Sequence, residues 1–270
     1  MREAITIYRR VMIRHTAEHP NHASHLNKLG NALYFRYSRD RDISDLTEAI
    51  TLYREAVQLT PTSDPGRASR LNSLGRALQS QYDRDRDISD LTDAITLCRE
   101  AVQLTSSGDP GRASRLHNLG NAIYARYDRD HDSSDLTGAI TLCREAVQLT
   151  SSSDPGRASH LYMLGMALSS RYHQGRNISD LTDAITSYRE AGQLTSSSYP
   201  DRAKHLNHLG ALFEIWYDQV GSLRQEDLQD GIRVFEEVLQ LLPPHDPAHS
   251  LARRRLTKFL QSRPHRRMKW

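Results

Sequence analysis

The sequence predicts an all-α protein built as an array of paired antiparallel helices, about twelve in all. The segment DLTxAI recurs every 45 residues, and a looser copy, DLQDGI, follows the last of these; the copies begin at Asp45, Asp90, Asp135, Asp180 and Asp227. Each period also contains two stretches whose apolar residues recur at helical spacing along one side. A fixed period of about 20–50 residues is typical of solenoids and other repeat arrays.

The two helices of a period differ in sequence. The first has its apolar residues at Leu71, Leu74, Leu78 and Tyr82, and the second at Leu91, Ile95, Cys98 and Val102. Neither stretch alternates apolar and polar residues as a half-buried strand does. Each period therefore predicts one helix hairpin.

The boundaries of the helices are marked by capping residues and polar connectors. Asp-Pro-Gly, at 64–66, 109–111 and 154–156, offers aspartate as N-cap and proline at the first position of the first helix. Asp-Ile-Ser-Asp, at 42–45 and 87–90, caps the second helix and places negative charge in its first turn. The RDRD stretches alternate in charge and are interpreted as solvated turns.

The elements follow in order along the chain. Residues 1–18 form an orphan second helix of a truncated repeat, because Ile5 stands 45 residues before Ile50. Residues 19–245 form five units, 246–262 a capping helix and 263–270 a basic tail; the units cover about 19–63, 64–108, 109–153, 154–198 and 199–245. An array that begins within a second helix suggests a fragment of a longer protein.

Composition agrees with an elongated protein. Hydrophobic residues make up 37% of the chain, charged residues 26%, and the mean hydropathy is −0.66, which is polar for a single compact core. The net charge of +3 is concentrated in residues 251–270, which hold eight Lys and Arg residues and no acid. The remaining chain has more acids than bases, which argues against a nucleic-acid-binding body.

The residues Leu26-x-x-Leu29-Gly30-x-x-Leu33, followed by Ala49-x-x-x-Tyr53, resemble the tetratricopeptide repeat (TPR). Three columns recur in all five units: Gly30, Gly75, Gly120, Gly165 and Gly210; Ala49, Ala94, Ala139, Ala184 and Gly231; Tyr53, Cys98, Cys143, Tyr188 and Phe235. A small residue is needed where two helix backbones approach closely, with a large apolar side chain beside it.

The resemblance implies a right-handed superhelical solenoid of TPR-like hairpins. The unit of 45 residues is longer than the standard one of about 34. These long units, with the phrase DPGRASRLNSLG, are similar to fungal (basidiomycete) kinesin-light-chain-like TPR arrays, some of which belong to proteins with a CHAT protease or an NTPase domain.

In TPR proteins the first helices line a concave groove that binds a peptide or helix of a partner. By position relative to the repeated glycine, the groove columns here are Asn27, Asn72, His117, Tyr162 and Asn207; Asn31, Arg76, Asn121, Met166 and Ala211; Tyr34, Gln79, Tyr124, Ser169 and Glu214. Asparagine amides can bond both C=O and N–H groups of an extended chain. The alternative is that these are simply exposed helix positions. The lysine of the carboxylate clamp found in some TPR domains is Asn27 here, so that clamp is not predicted.

The predicted function is therefore a non-catalytic protein-interaction scaffold, with no cofactor and no small-molecule substrate. One alternative is the sensor or regulatory array of a larger CHAT protease or NTPase. An RNA-binding helical repeat ranks last, because the groove columns are mainly neutral. We expect a monomer, with end-to-end association as an option.

Neither the cysteines nor the histidines predict a reactive or metal site. Cys98 and Cys143 occupy a column that otherwise holds tyrosine and phenylalanine, which makes them packing residues. Equivalent helices should lie about 8–10 Å apart, beyond the ~7 Å limit between the Cα atoms of a disulfide. The cluster His15, His19, His22 and His25 has no accompanying metal motif and is interpreted as a solvated helix boundary.

The chain has no apolar stretch of about 18 residues and no signal peptide at its N-terminus. We expect a cytoplasmic protein that does not contact a membrane. The basic tail, RPHRRMKW, has three readings: a solvated end of the last helix, a nuclear-import or acidic-partner patch, or a weak nucleic-acid contact.

Overall fold

A computed structural model describes residues 2–14, 19–196, 202–220 and 225–261. Over these ranges the chain forms twelve α-helices and no strand, as the sequence predicted. The helices are α1 (Arg2–Arg14), α2 (His22–Asp40), α3 (Ile43–Gln58), α4 (Arg67–Asp85), α5 (Ile88–Gln103), α6 (Arg112–Asp130), α7 (Ser133–Gln148), α8 (Arg157–Gly175), α9 (Ile178–Leu194), α10 (Arg202–Val220), α11 (Gln225–Leu241) and α12 (Pro247–Gln261).

Consecutive helices pack as hairpins within two compact units, residues 1–149 and 150–270. In the first unit α2 packs on α3, α4 on α5 and α6 on α7, and α1 packs on α2. The first helices α2, α4 and α6 also contact one another in sequence. In the second unit α8 packs on α9 and α10 on α11, while α12 packs on α11 and touches α10. This arrangement confirms the predicted array of helix hairpins.

The predicted caps hold, with one shift of boundary. Asp42, Asp87, Asp132 and Asn177 are the N-caps of the second helices, and each side chain accepts a bond from the backbone N–H two residues later. The first helix α4 begins at Arg67, after the Asp-Pro-Gly turn rather than within it. Asp64 Oδ1 instead accepts the N–H of Gly66 at 2.6 Å and so fixes the turn that leads into the helix.

The turn inside each of the first four hairpins places a non-glycine residue in the left-handed region. Its φ is 58° at Arg41, 60° at Arg86, 58° at His131 and 54° at Arg176. Each of these side chains lies against the tyrosine that ends the same first helix; the Arg86 guanidinium, for example, is 5.4 Å from the centre of the Tyr82 ring. These turns are thus held by contacts with the tyrosine side chains, whereas the sequence suggested only solvated connectors.

Each repeated glycine faces the variable column of the second helix. A Cβ atom at Gly75 would lie 2.6 Å from Cys98 Sγ, and one at Gly210 would fall on the Phe235 ring. Cys98 and Cys143 are free and fully buried, as predicted for packing residues. Burial raises the pKa of both thiols to about 12, so neither is a reactive thiolate at neutral pH.

Two recurring ion pairs join the helices. Within a hairpin, Arg126 binds Asp135 through two bonds of 2.6 and 2.7 Å, and Arg36–Asp45 and Arg171–Asp180 repeat this pair. At the start of a first helix, Arg112 donates to the carbonyl of Thr105 and to Glu145. Arg67, Arg157 and Arg202 make the same two kinds of contact, so each of these arginines joins its first helix to the segment before it and to the second helix of its own hairpin.

Candidate functional site

The predicted groove residues lie on the first helices, but they are not uniformly exposed. Asn27 and Gln79 are buried, at 9% and 5% exposure. Asn31 is exposed, and the other predicted residues are half-buried: Tyr34, Asn72, Arg76, His117, Asn121, Tyr124, Tyr162, Met166 and Asn207. The sequence predicted the position of each residue in the repeat, and the structure adds how far each side chain is exposed.

The first unit brings together predicted residues of α2 and α4. The Arg76 guanidinium lies 4.2 Å from the centre of the Tyr34 ring, within the range of a cation–π contact. The Tyr34 hydroxyl is 2.8 Å from Ser80 Oγ, and Tyr53 donates to Asn31 Oδ1 at 2.8 Å. Tyr34 is therefore held at its ring and at its hydroxyl, which fixes the position of Arg76 above it.

Three polar atoms on this face are buried without a hydrogen-bond partner among the described residues. They are Asn27 Oδ1, Arg76 Nε and Gln79 Oε1. The other end of the Gln79 amide is used, since Nε2 donates to Asp83 at 2.9 Å. Arg76 also makes no ion pair within the described part of the chain, unlike the arginines that join the helices. These three atoms are covered by the chain itself, so they are not open to a ligand lying on this face.

The α4–α6 part of the face is joined by amides. Asn118 Nδ2 donates to Asn72 Oδ1 at 3.0 Å. Tyr124 packs near Tyr127, with the ring centres 5.7 Å apart. Asn121 is half-buried one turn before Tyr124. The predicted residues of this part are thus brought onto one surface.

In the second unit the same face is aromatic and charged. The Tyr162 ring stacks on His205 at 3.9 Å and meets His208 edge-on at 5.9 Å. Burial, with a smaller effect from Lys204, lowers the pKa of His208. The positive charge at this end of the face therefore comes mainly from the exposed Lys204.

Asn207 and Glu214 contact the last helix. Arg255 donates to Asn207 Oδ1 at 3.2 Å and to Glu214 at 2.8 Å, and Lys258 pairs with Asp218 at 2.7 Å. Helix α12 thus lies beside α10 as a further first helix. It also uses two of the basic residues of the C-terminal run in ion pairs.

Sequence reasoning missed several members of this surface: Ser80, Asn118, His205 and Arg255. The repeat period could have identified two of them. Tyr34 to Ser80 and Asn72 to Asn118 are both 46 residues, one period plus one. A column of residues spaced by one whole period therefore leaves out the neighbour that each residue contacts on the first helix of the following unit.

The histidine cluster is not simply a solvated boundary. His22 is buried and its Nε2 lies 3.6 Å from Glu55, where the other units place an arginine. His19 and His25 stack with ring centres 6.1 Å apart, and His15 lies outside the described residues. Over the described ranges no group of three or more His, Cys, Asp or Glu side chains is arranged to hold a metal ion.

The basic tail 263–270 lies outside the described residues. None of the helices, in the part that the structure covers, is long and apolar enough to span a membrane.

Residues 22–61 and 67–106 match the sequence model of the family described as tetratricopeptide repeat. No curated protein sequence matches the chain significantly. Among solved structures, the chain is similar to the putative kinesin light chain with nearly identical TPR-like repeats from Podosopora anserina, with 18% identity, a TM-score of 0.55 and coverage of 83% of this chain and 96% of that one.

Two further structures share the fold. BtubC (BKLC) from P. vanneervenii is 14% identical with a TM-score of 0.53, and the match covers 99% of this chain and 92% of that one. YrrB, described as a TPR protein with an unusual peptide-binding site, is 13% identical with a TM-score of 0.50, covering 91% and 97%. The family match and the fold agree with the resemblance carried by the repeated glycine and alanine columns.

Proposed function

The chain is an array of TPR-like helix hairpins, and we propose that it is a protein-interaction scaffold whose first helices bind a segment of a partner protein. One observation carries the proposal: half-buried polar and aromatic side chains of α2 and α4, among them Tyr34, Asn72 and Arg76, lie together on one face. An extended peptide supplies both N–H donors and C=O acceptors along its backbone. Such a backbone could accept from the Asn72 amide and from the Arg76 guanidinium at the same time.

The rest of the face supports the same interpretation. Tyr34 and Arg76 are held in place by contacts within the protein, so little side-chain freedom would be lost on binding. Asn72, Asn121 and Tyr124 continue the polar and aromatic surface onto α4 and α6. A relative in fold, YrrB, is described as having a peptide-binding site.

The test uses peptides selected from a phage-displayed random library on the wild-type chain. Their affinity is then measured by fluorescence polarisation for the variant N72A/N121A/Y124A. We expect binding at least about tenfold weaker, since tenfold corresponds to about 1.4 kcal/mol and the variant removes two amides and a ring from the face. Circular dichroism should show unchanged helicity.

The matched control changes three threonines on the second helices. Thr51, Thr96 and Thr141 are exposed, and each hydroxyl donates only to the carbonyl four residues earlier. The variant T51A/T96A/T141A should bind the selected peptides like the wild type. Equal binding by N72A/N121A/Y124A, or a wild-type chain that selects no peptide, would count against the proposal.

A further inference from the structure

A cavity of about 210 Å³ opens in the second unit between α9, α10 and α11. Gly192, Leu206, Leu209 and Val234 form its apolar part. Charged side chains surround these: Arg189, Arg202, Arg233, Asp230 and Glu237. None of the groove residues predicted in this unit lines the cavity, so it is separate from the face discussed above.

The repeat explains why the cavity exists. Gly192 stands in the place that Val57, Val102 and Val147 occupy in the preceding units. Val57 and Val102 are half-buried and pack against hydrophobic clusters that each draw on more than one hairpin. A Cβ atom at Gly192 would meet only Leu206 Cδ2, at 3.8 Å. An isopropyl group at this position would therefore fill part of the cavity, as a valine stands there in the preceding units.

The size of the cavity favours a single side chain as its occupant. Sites for small-molecule ligands usually measure about 300–1,000 Å³, which exceeds the volume present here. A buried aliphatic side chain in a fitted pocket is a common anchor of protein interfaces. The apolar walls therefore suit a branched aliphatic residue of a partner.

The charges at the rim favour an acidic neighbour for that residue. Asp230 is shared, since it lies 3.1 Å from Arg189 Nε and also pairs with Arg233. Arg189 has a second partner in Asp227 at 2.8 Å, whereas Arg233, among the residues that the structure describes, has only its share of Asp230 and is 73% exposed. Arg202 is fully engaged by Glu237 and by two carbonyls. Arg233 is thus the cation at the rim with capacity for a further carboxylate.

We propose that this cavity is a second binding site, which takes a branched aliphatic side chain of a partner protein next to an acidic residue. The aliphatic group replaces the valine that the other units supply themselves. The carboxylate pairs with Arg233 beside it. The site does not depend on the peptide-binding face of the first helices.

The probe is the tripeptide Asp-Val-Asp, acetylated and amidated, titrated into the full chain labelled with nitrogen-15. We expect a saturable shift of the Gly192 and Val234 amide signals. Two matched peptides separate the contributions: Asn-Val-Asn lacks the charge and Asp-Gly-Asp lacks the isopropyl group. Each should bind at least about tenfold more weakly, because each keeps only half of the proposed contacts.

The variant Gly192→Val fills the cavity with the residue found in the other units. It should abolish the shift of the Val234 amide while melting at the same temperature as the wild type or above it. Gly192→Ala, which only narrows the cavity, gives a second measurement and should weaken binding without abolishing it. The groove variant N72A/N121A/Y124A should bind the probe like the wild type, so the two proposals fail separately.

Three results would overturn the proposal. They are no saturable shift with Asp-Val-Asp, equal shifts with Asp-Gly-Asp, or undiminished binding by Gly192→Val. Equal shifts with Asp-Gly-Asp would mean that the arginines attract any anion and that the cavity takes no side chain.

Discussion

The repeated glycine of the first helix makes a sharp prediction when it is compared with a glycine that has room around it. Gly75 lies in α4 and Gly138 in α7, both within the first compact unit. A Cβ atom at Gly75 would lie 2.6 Å from Cys98 Sγ and 3.2 Å from the Ala94 carbonyl oxygen. A Cβ atom at Gly138 would meet nothing within 4 Å. The same change to alanine should therefore have opposite effects.

The magnitudes follow from two terms. Replacing glycine by alanine inside a helix stabilises it by about 1 kcal/mol, and this gain applies to both positions. At Gly75 the added methyl group overpacks the hairpin, which costs about 1–3 kcal/mol. The upper part of that range applies, because the closest neighbour, Cys98 Sγ, belongs to a fully buried side chain with little room to move. We expect Gly75→Ala to be destabilised by about 2 kcal/mol and Gly138→Ala to be stabilised by about 1 kcal/mol.

Thermal unfolding followed by circular dichroism measures the difference. For chains of this size 1 kcal/mol corresponds to about 2–4 °C in Tm. Gly75→Ala should melt about 4–8 °C below the wild type, and Gly138→Ala about 2–4 °C above it. A repeat array can unfold in more than one step, so the transition of the first unit is the one to compare.

The double variant Gly75→Ala/Cys98→Ala tests the stated cause. If the sulfur is the main obstacle, the loss in the double variant should be smaller than the sum of the two single losses by about 1 kcal/mol or more. The reasoning is refuted if Gly75→Ala melts at or above the wild-type temperature, or if the two losses simply add.

Two further predictions concern buried side chains. Burial raises the pKa of Asp90, so the folded state binds its proton more tightly than the unfolded state does. The equivalent Asp135 pairs with Arg126, nine residues before it, whereas the residue nine positions before Asp90 is Gln81. Stability from this site should fall as pH rises through that pKa, and Gln81→Arg should reverse the slope in urea titrations at several pH values; an unchanged slope would contradict the pairing. Cys98 and Cys143, whose pKa values burial raises to about 12, should not react with a disulfide reagent in the native protein and should both react in denaturant. Replacing either by serine should lower stability by about 1–3 kcal/mol, because a buried hydroxyl replaces an apolar contact, and a native thiol that reacts quickly would show that the column is not sealed.

The fold could be predicted because the same helix-hairpin pattern recurs along the sequence. One amphipathic stretch can be misread, but five copies in register fix which residues are small, which are large and where each helix is capped. Asp42 and its equivalents cap their helices as expected. The left-handed turn at Arg41 was not predicted, because such turns usually carry glycine, whereas here the left-handed residue is an arginine or histidine that lies against a tyrosine ring.

The sequence predicted the candidate site only as sets of equivalent positions in successive units. Period arithmetic places Asn27, Asn72 and His117 at equivalent positions, yet it cannot say that Asn27 is buried while Asn72 is half-buried. Burial depends on the neighbour across the interface, such as Ser80 beside Tyr34 or Asn118 beside Asn72. These neighbours differ between units even where the columns agree.

The ion pairs that join the helices determine how such a gene can change length. Arg112 reaches Thr105 seven residues before it and Glu145 thirty-three residues after it, and Arg67 does the same with Thr60 and Glu100. A duplication or deletion of a whole period of 45 residues leaves every such partner at its required distance. An insertion of one residue within a helix rotates everything after it by about 100° and separates the partners. Steps of a whole period are therefore the changes that keep these partners at their usual spacing, and the last unit accommodates a longer one, since Arg202 binds Glu237 thirty-five residues after it.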